Sequence, residues 1–375
     1  MMRPFSAALQ EISEKCSLCH DQCVSACPVV EFSHSQIAYP SRLAALSAGV
    51  STGTLQPSNE LMDALLFCIN CNACTDSCVY VDNPVDVTPL IRWAREYLVE
   101  AGQGTGAMRQ MHATIQLVGN PYADVRQSYA KLGEGHPSTL NKGGTLLIAD
   151  ASELASAPEL ADTAIELLEK MGYPRVALSD SIYTGWDLWQ YGYREDAIKI
   201  AESILREIQE SQPEVIVPLS SASAYMLRTI YPGEFGISIP AAILTVPEAI
   251  LARLETVRVT QQDLGCSVFL VFSHTETHQL HSLAARQVLE RLGVTCVNPG
   301  YSLAHHGDSF PEVSVPALAP IRSAELASRI AEAADIIRPE RVICTSGSIT
   351  ASMRKTGLRA PVSNWVEYVN TRIRA

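Results

Sequence analysis

The sequence predicts an α+β chain in two parts, a small, mainly helical N-terminal domain and a duplicated α/β domain. Three observations carry this expectation. Eight of the 11 cysteines stand in two short runs near the start of the chain. Apolar stripes at helical spacing surround both runs. From residue 145 onward, short β-branched runs alternate with helical stripes in the order strand–helix–strand, and the pattern occurs twice.

Phe5, Ala8, Leu9 and Ile12 share one helical stripe, so residues 5–15 form a short helix leading into the first run. That stripe packs against its own domain or docks on a partner. Pro40-Ser41 opens an Ala/Leu-rich helix, which a polar Gly/Ser/Thr turn at 49–58 stops. Residues 59–67 form the helix that delivers the second run, with Leu61, Leu65 and Leu66 facing inward. Pro89 starts a helix carrying Leu90, Ile91, Trp93, Ala94, Tyr97 and Leu98, and Gly102 ends it. Residues 1–104 are the first domain. Residues 105–144, broken at Asn120-Pro121, His136-Pro137 and Gly143-Gly144, form a connecting segment with one helix.

The α/β domain covers 145–375, with halves of about 145–240 and 266–360. The first half has strands at 145–149, 176–179 and 215–218, and helices at 161–171 and 197–209. The second has strands at 267–272, 295–298 and 341–344, and helices at 284–292 and 324–334. Leu167-Leu168-Glu169-Lys170-Met171-Gly172 answers Val288-Leu289-Glu290-Arg291-Leu292-Gly293. Pro213-Glu214-Val215-Ile216-Val217 answers Pro339-Glu340-Arg341-Val342-Ile343. Such alternation implies two Rossmann-like halves with parallel sheets, facing each other across a cleft built from the loops after their strands.

A hydrophobic share of 47% over 375 residues supports two proper cores. The net charge of −12 argues against nucleic acid, which needs a basic footprint. No apolar run approaches the roughly 20 residues of a membrane-crossing helix. Met1-Met2-Arg3-Pro4-Phe5 leads into Glu11 and Glu14, unlike a secretory signal. Unpaired cysteines fit a reducing compartment. The expected location is therefore cytoplasmic, peripheral to a membrane only through a partner.

The first cysteine run is Cys16-x2-Cys19-x3-Cys23-x3-Cys27-Pro28, and the second is Cys68-x2-Cys71-x2-Cys74-x3-Cys78. Three closely spaced thiolates on a tight loop form one corner of a [4Fe–4S] cage, and the fourth cysteine of each run ligates the other cluster in two-cluster ferredoxins. The runs resemble that pattern, which assigns Cys16, Cys19, Cys23 and Cys78 to one cluster and Cys68, Cys71, Cys74 and Cys27 to the other. The first run carries one residue more than the usual x2-x2-x3 spacing, and Val79 rather than proline follows Cys78. A disulfide framework suits a short secreted chain, whereas 375 residues without a signal-like start point away from one. A pair of zinc knuckles would leave the third cysteine of each run and Pro28 unexplained.

A two-cluster, ferredoxin-like domain followed by a duplicated α/β domain resembles the iron–sulfur subunits of heterodisulfide reductase, glycolate oxidase, lactate utilisation systems and anaerobic glycerol-3-phosphate dehydrogenase. In that family each α/β half carries Cys-Cys-Gly and a later cysteine loop. Here the corresponding positions read Tyr183-Thr184-Gly185, Ser220-Ser221-Ala222-Ser223 before Met226-Leu227-Arg228, His305-His306-Gly307 and Thr345-Ser346-Gly347-Ser348. The family's His-Asp-Pro-Cys-His reads His274-Thr275-Glu276-Thr277-His278. Hydroxyls and imidazoles do not replace a set of bridging thiolates, so the family's disulfide-reducing chemistry is not implied for this degenerate domain. Cys266, Cys296 and Cys344 fall at or beside strands and read as buried packing residues. His274, His278 and His281 have helical i, i+4 and i+7 spacing and could line a cleft with His305 and His306.

The expected function is that of an electron-transfer subunit of a flavin-dependent oxidoreductase complex, passing single electrons through two [4Fe–4S] clusters. The resemblance implies a flavoprotein dehydrogenase or electron-transfer flavoprotein subunit as partner, and beyond it a membrane-bound or soluble acceptor. No G-x-G-x-x-G fingerprint marks a flavin or NAD site, since Gly102, Gly104 and Gly106 precede no strand–helix unit. Two alternatives stand beside it. One is a redox enzyme in its own right, with a small-molecule or metal site lined by Tyr183, Ser220, Ser223, His274, His278, His305 and His306. The other is an assembly scaffold.

Overall fold

The protein is described by a computed structural model over residues 4–122, 125–136, 142–259, 265–297, 309–310 and 323–374. It is a mixed α/β molecule in which two small parallel sheets accompany many helices. The residues group into two compact units. The first takes the chain up to Leu117 together with the segment Trp186–Ala197, and the second takes Val118–Gly185, Ile198–Glu312 and Ala324–Ala375.

In the first unit, Ser6 caps the helix Ala7–Ser17 by accepting from Leu9 N–H, and Ser58 caps Asn59–Leu65 by accepting from Leu61 N–H. Proline in the first turn opens Pro40–Ser51 and Thr88–Glu100, where its missing N–H costs nothing. Leu9, Leu43, Met62, Leu65, Leu90, Ile91 and Leu98 bury their side chains between these helices. Phe5 packs edge-on against Trp93 at 4.8 Å, so the N-terminal stripe lies on its own domain. The stretch after Gly102 holds two helices, Gly106–Val118 and Val125–Gly135, where the sequence suggested one. Met108, Met111, Val125 and Leu132 are their buried faces, spaced too sparsely among polar residues for the second to stand out.

The second unit repeats one topology. Strands β1 (Thr145–Ile148), β2 (Val176–Leu178), β3 (Val215–Pro218) and β4 (Ala242–Ile243) form a parallel sheet in the order β2-β1-β3-β4. After β5 (Arg258–Val259) come β6 (Ser267–Ser273), β7 (Thr295–Cys296), β8 (Ser309–Phe310), β9 (Arg341–Cys344) and β10 (Val362–Asn364). Here β7-β6-β9-β10 repeats the same order, again parallel, with β8 beside the C-terminal end of β6. One core joins the halves: Leu147, Val217, Leu270, Phe272, Ile343 and Trp365 belong to a single apolar cluster. Strand β11 (Ile373–Arg374) returns to pair antiparallel with β5.

In an order of this kind the connections leave the first and third strands in opposite directions, which opens a crevice beyond their C-terminal ends. The loops after β1 and β3 make that crevice in one half, and those after β6 and β9 make it in the other.

Candidate metal centres

The cysteine loops turn tightly because three residues accept left-handed backbone: Asp21 (φ 57°), Asn70 (φ 53°) and Asn72 (φ 63°). Asn and Asp tolerate that region better than other side chains. Each loop is then tied to a helix. Ser41 donates through Oγ to Asp21 Oδ2 (2.6 Å), fastening the first run to Pro40–Ser51. Asn72 Nδ2 donates to Asp86 Oδ2 (3.1 Å), and Thr88 Oγ1 donates to Asp86 Oδ1 (2.7 Å), fastening the second run to Thr88–Glu100. Cys27 stands at the N-cap of Pro28–Ser33, with Pro28 in the first turn.

The eight cysteines line two small cavities. Cys27, Cys68, Cys71 and Cys74 line one, between Val29, Leu43, Ile69 and Ile91. Cys16, Cys19, Cys23 and Cys78 line the other, with Asp21, Val79, Tyr80 and Val85. One cavity thus takes three cysteines of the second run and the last of the first, and the other takes three of the first run with Cys78, and Cys74 at its edge, from the second. Cys74 touches both cavities. Backbone N–H groups already point at two of the sulfurs, Asn70 at Cys68 Sγ and Val85 at Cys78 Sγ, both at 3.3 Å.

Electrostatics follow from this crowding. Burial, and then the neighbouring Cys23 and Cys19, push the Cys16 thiol up to about 12. Burial and Asp21 push Cys23 to about 12. Burial raises Cys27 to about 11 against backbone N–H groups of Val30 and Val29 that pull it down. Cys68, Cys71 and Cys74 are also raised by burial, and at Cys68 the nearby Arg95 guanidinium opposes the rise. Thiols in such boxes stay protonated until a bound cation replaces their protons. Among the described residues, no three His, Cys, Asp or Glu side chains gather around one point closely enough to hold a single ion. Sulfurs ringing a volume suit a polynuclear iron–sulfur core. The donor set fits it.

Two carboxylates of the α/β unit bond the loops that bound its crevices. Asp150, just after β1 and strained at φ 38°, accepts Ser220 N–H at 2.8 Å and the Ser223 hydroxyl. Thr184 Oγ1 and Ser223 Oγ share a hydrogen bond at 2.9 Å. Ser221 and Ser273 join the two halves through their hydroxyls at 2.6 Å. Glu153 reaches into the second half, where its Oε2 accepts Gly347 N–H at 2.7 Å. A Cβ at Gly347 would stand 2.6 Å from that same oxygen, so a larger residue there would push the carboxylate aside.

Ser220, Ser223, His274 and His278 are all buried around these crevices, the two imidazoles edge-on at 5.5 Å. Tyr183 instead lines an open groove with Asn120, Arg126, Tyr129 and Asp180. The stretch after His274 is a π-helical turn, Thr275–Gln279, and His281 adopts φ 47°. The regular i, i+4, i+7 face expected for His274, His278 and His281 is therefore broken before His281. His305 and His306 lie outside the described residues. Asp150 and Glu153 were not singled out from the sequence, because nothing in the local pattern marks their distant partners Ser220, Ser223 and Gly347.

Cys344 is buried in β9, and burial pushes its thiol up to about 12. In the folded protein it should resist iodoacetamide at pH 8 and react only after denaturation, because the thiolate is the nucleophile. Rapid labelling of the native protein would contradict the packing role. Cys266 and Cys296 are partly buried against the same core.

No family model matches the chain, and no curated protein matches it. A solved structure of an aspartate racemase homologue from Pyrococcus horikoshii OT3 is similar over 62% of this chain and 96% of its own, at 12% identity and a TM-score of 0.27.

Proposed function

We propose that this chain is an electron-transfer subunit, holding two [4Fe–4S] clusters and serving a flavin-dependent oxidoreductase. The observation that carries the reading is the pair of cavities, each lined by cysteines drawn from both runs. Bound there, each cluster supplies a reversible one-electron step. The chain supplies the thiolates, an apolar wall and the N–H groups aimed at Cys68 and Cys78. Sharing of Cys74 between the two cavities keeps the centres adjacent, which single-electron relay requires. The α/β unit serves as the docking platform of the complex, its loops held by the buried Asp150 and Glu153 carboxylates.

The cavity of Cys16, Cys19, Cys23 and Cys78 is the port for the flavoprotein. Leu18 lies between two of its cysteines and Val79, Tyr80 and Val81 follow a third; Leu18 and Val81 are each 84% exposed. Apolar groups this open beside a redox centre suit a transient docking face. Leu18→Asp with Val81→Asp should slow reduction by the partner at least about tenfold, equivalent to 1.4 kcal/mol, with iron content unchanged.

The isolated protein should not oxidise hydroxy acids, amines or glycerol phosphate with an artificial acceptor. It should be reduced once a flavoprotein partner and its substrate are added. Steady turnover by the chain alone, lost on changing His274 or His278, would overturn this reading in favour of an enzyme.

A further inference from the structure

We propose that Arg95 is the internal counter-ion of the centre held by Cys27, Cys68, Cys71 and Cys74, and that its charge raises the reduction potential of that centre. The inference rests on the reading that this cavity holds an iron–sulfur cluster.

Arg95 lies inside the helix Thr88–Glu100 and is fully buried. Its guanidinium donates to three backbone carbonyls: Leu65 O (2.6 Å), Gln190 O (2.8 Å) and Cys68 O. None of these acceptors carries charge, and no carboxylate among the described residues accepts from it. A charge taken from water without a partner costs several kcal/mol. The bond to the Cys68 carbonyl sets the guanidinium at the root of a cluster ligand. Four thiolates around a [4Fe–4S] core provide negative charge in that cavity, and reduction by an external donor adds one electron and one further negative charge. A fixed cation beside the centre stabilises the more negative state more, so the reduction equilibrium moves toward it.

The segment Trp186–Ala197 holds Arg95 in place. Gly192 (φ +90°) brings its backbone so near that a Cβ there would stand 2.7 Å from the Arg95 carbonyl carbon. Two residues earlier, Gln190 accepts from Arg95 through its carbonyl and donates through Nε2 to Ile69 O (3.3 Å), beside Cys68. Arg92, one turn before Arg95, lies over the Trp189 ring at 4.1 Å. The other cavity has the Asp21 carboxylate in its wall, whereas the carboxylate near the Arg95 centre, Asp86, is outside the cavity lining and already accepts from Asn72 and Thr88. The two centres should therefore differ in potential, the Arg95 centre being the more positive.

The test is redox titration of the full chain, followed by electron paramagnetic resonance, on the wild type, Arg95→Met and Arg95→Lys, with iron analysis of each. Loss of one signal in Cys27→Ala assigns the centres. In Arg95→Met, iron should stay complete, and one midpoint should fall by at least a tenfold change in the reduction equilibrium, 59 mV for one electron. The other midpoint should stay. Arg95→Lys, which keeps the charge without the three-way fork, should retain most of the wild-type potential. If Arg95→Met loses the centre while Arg95→Lys keeps it at near wild-type potential, the charge role stands. Unchanged midpoints in Arg95→Met, equal shifts at both centres, a Lys variant shifted as far as Met, or loss of the centre from both variants would overturn it. A wild type without iron would instead overturn the underlying cluster reading.

Discussion

Cys27→Ala should leave the protein with about four of its about eight irons, all in the centre ringed by Cys16, Cys19, Cys23 and Cys78. Cys27 belongs to the first run in sequence, but it lines the cavity of Cys68, Cys71 and Cys74. Its removal takes one of four thiolates from that site and should free the other three, which alkylation would then trap. Cys78→Ala should do the reverse, freeing Cys16, Cys19 and Cys23. Cys74→Ala should disturb both signals, since Cys74 touches both cavities. Iron and sulfide analysis with electron paramagnetic resonance reads all three variants. A protein in which Cys27→Ala frees Cys16, Cys19 and Cys23 closes each run on its own centre, and the crossed pairing fails. Stoichiometric zinc without visible absorption would remove the iron–sulfur proposal altogether.

Asp150→Ala should destabilise the α/β unit by about 3 kcal/mol, because two buried donors would lose a charged acceptor. Ser220 N–H and the Ser223 hydroxyl both point at this carboxylate, and Asp150 and both serines are nearly inaccessible to water. For a domain of roughly 200 residues this lowers Tm by roughly 6–12 °C. Glu153→Ala should cost somewhat less, about 2 kcal/mol, since one N–H, that of Gly347, is orphaned. Both variants should keep their iron and both midpoint potentials, as the cluster cysteines belong to the other unit. Calorimetry and redox titration check the pair. An Asp150→Ala protein that melts like the wild type but has lost a turnover would mark the crevice as an active site and promote the enzyme alternative.

How much of this was legible beforehand depends on the range of the interactions involved. Strands β3 and β9 appear with the bounds read from their β-branched runs, because a continuous apolar run between turn signals leaves few alternatives. The duplication was readable as two matching sequence motifs, and both halves share the strand order second-first-third-fourth. The helix Val125–Gly135 was not readable, since only Val125 and Leu132 are buried in it. The histidine face failed because a helical spacing rule cannot anticipate a π-helical turn or a left-handed His281.

By itself the sequence determined the local chemistry: which thiols stand a loop apart, which residues begin helices, and where apolar runs recur. Those features depend on neighbours a few positions away, and the crossed grouping of Cys27 with Cys68 and of Cys78 with Cys16 was already an expectation from the ferredoxin-like spacing. Only the tertiary structure decided that Asp150 bonds Ser220 and Ser223, that Glu153 reaches Gly347, and that Arg95 lies under the second cysteine loop. Arg95 and Gln190 are far apart in the chain, as are Glu153 and Gly347. No periodicity encodes such contacts. They arise because a buried charge or N–H must find a partner wherever packing brings one within reach.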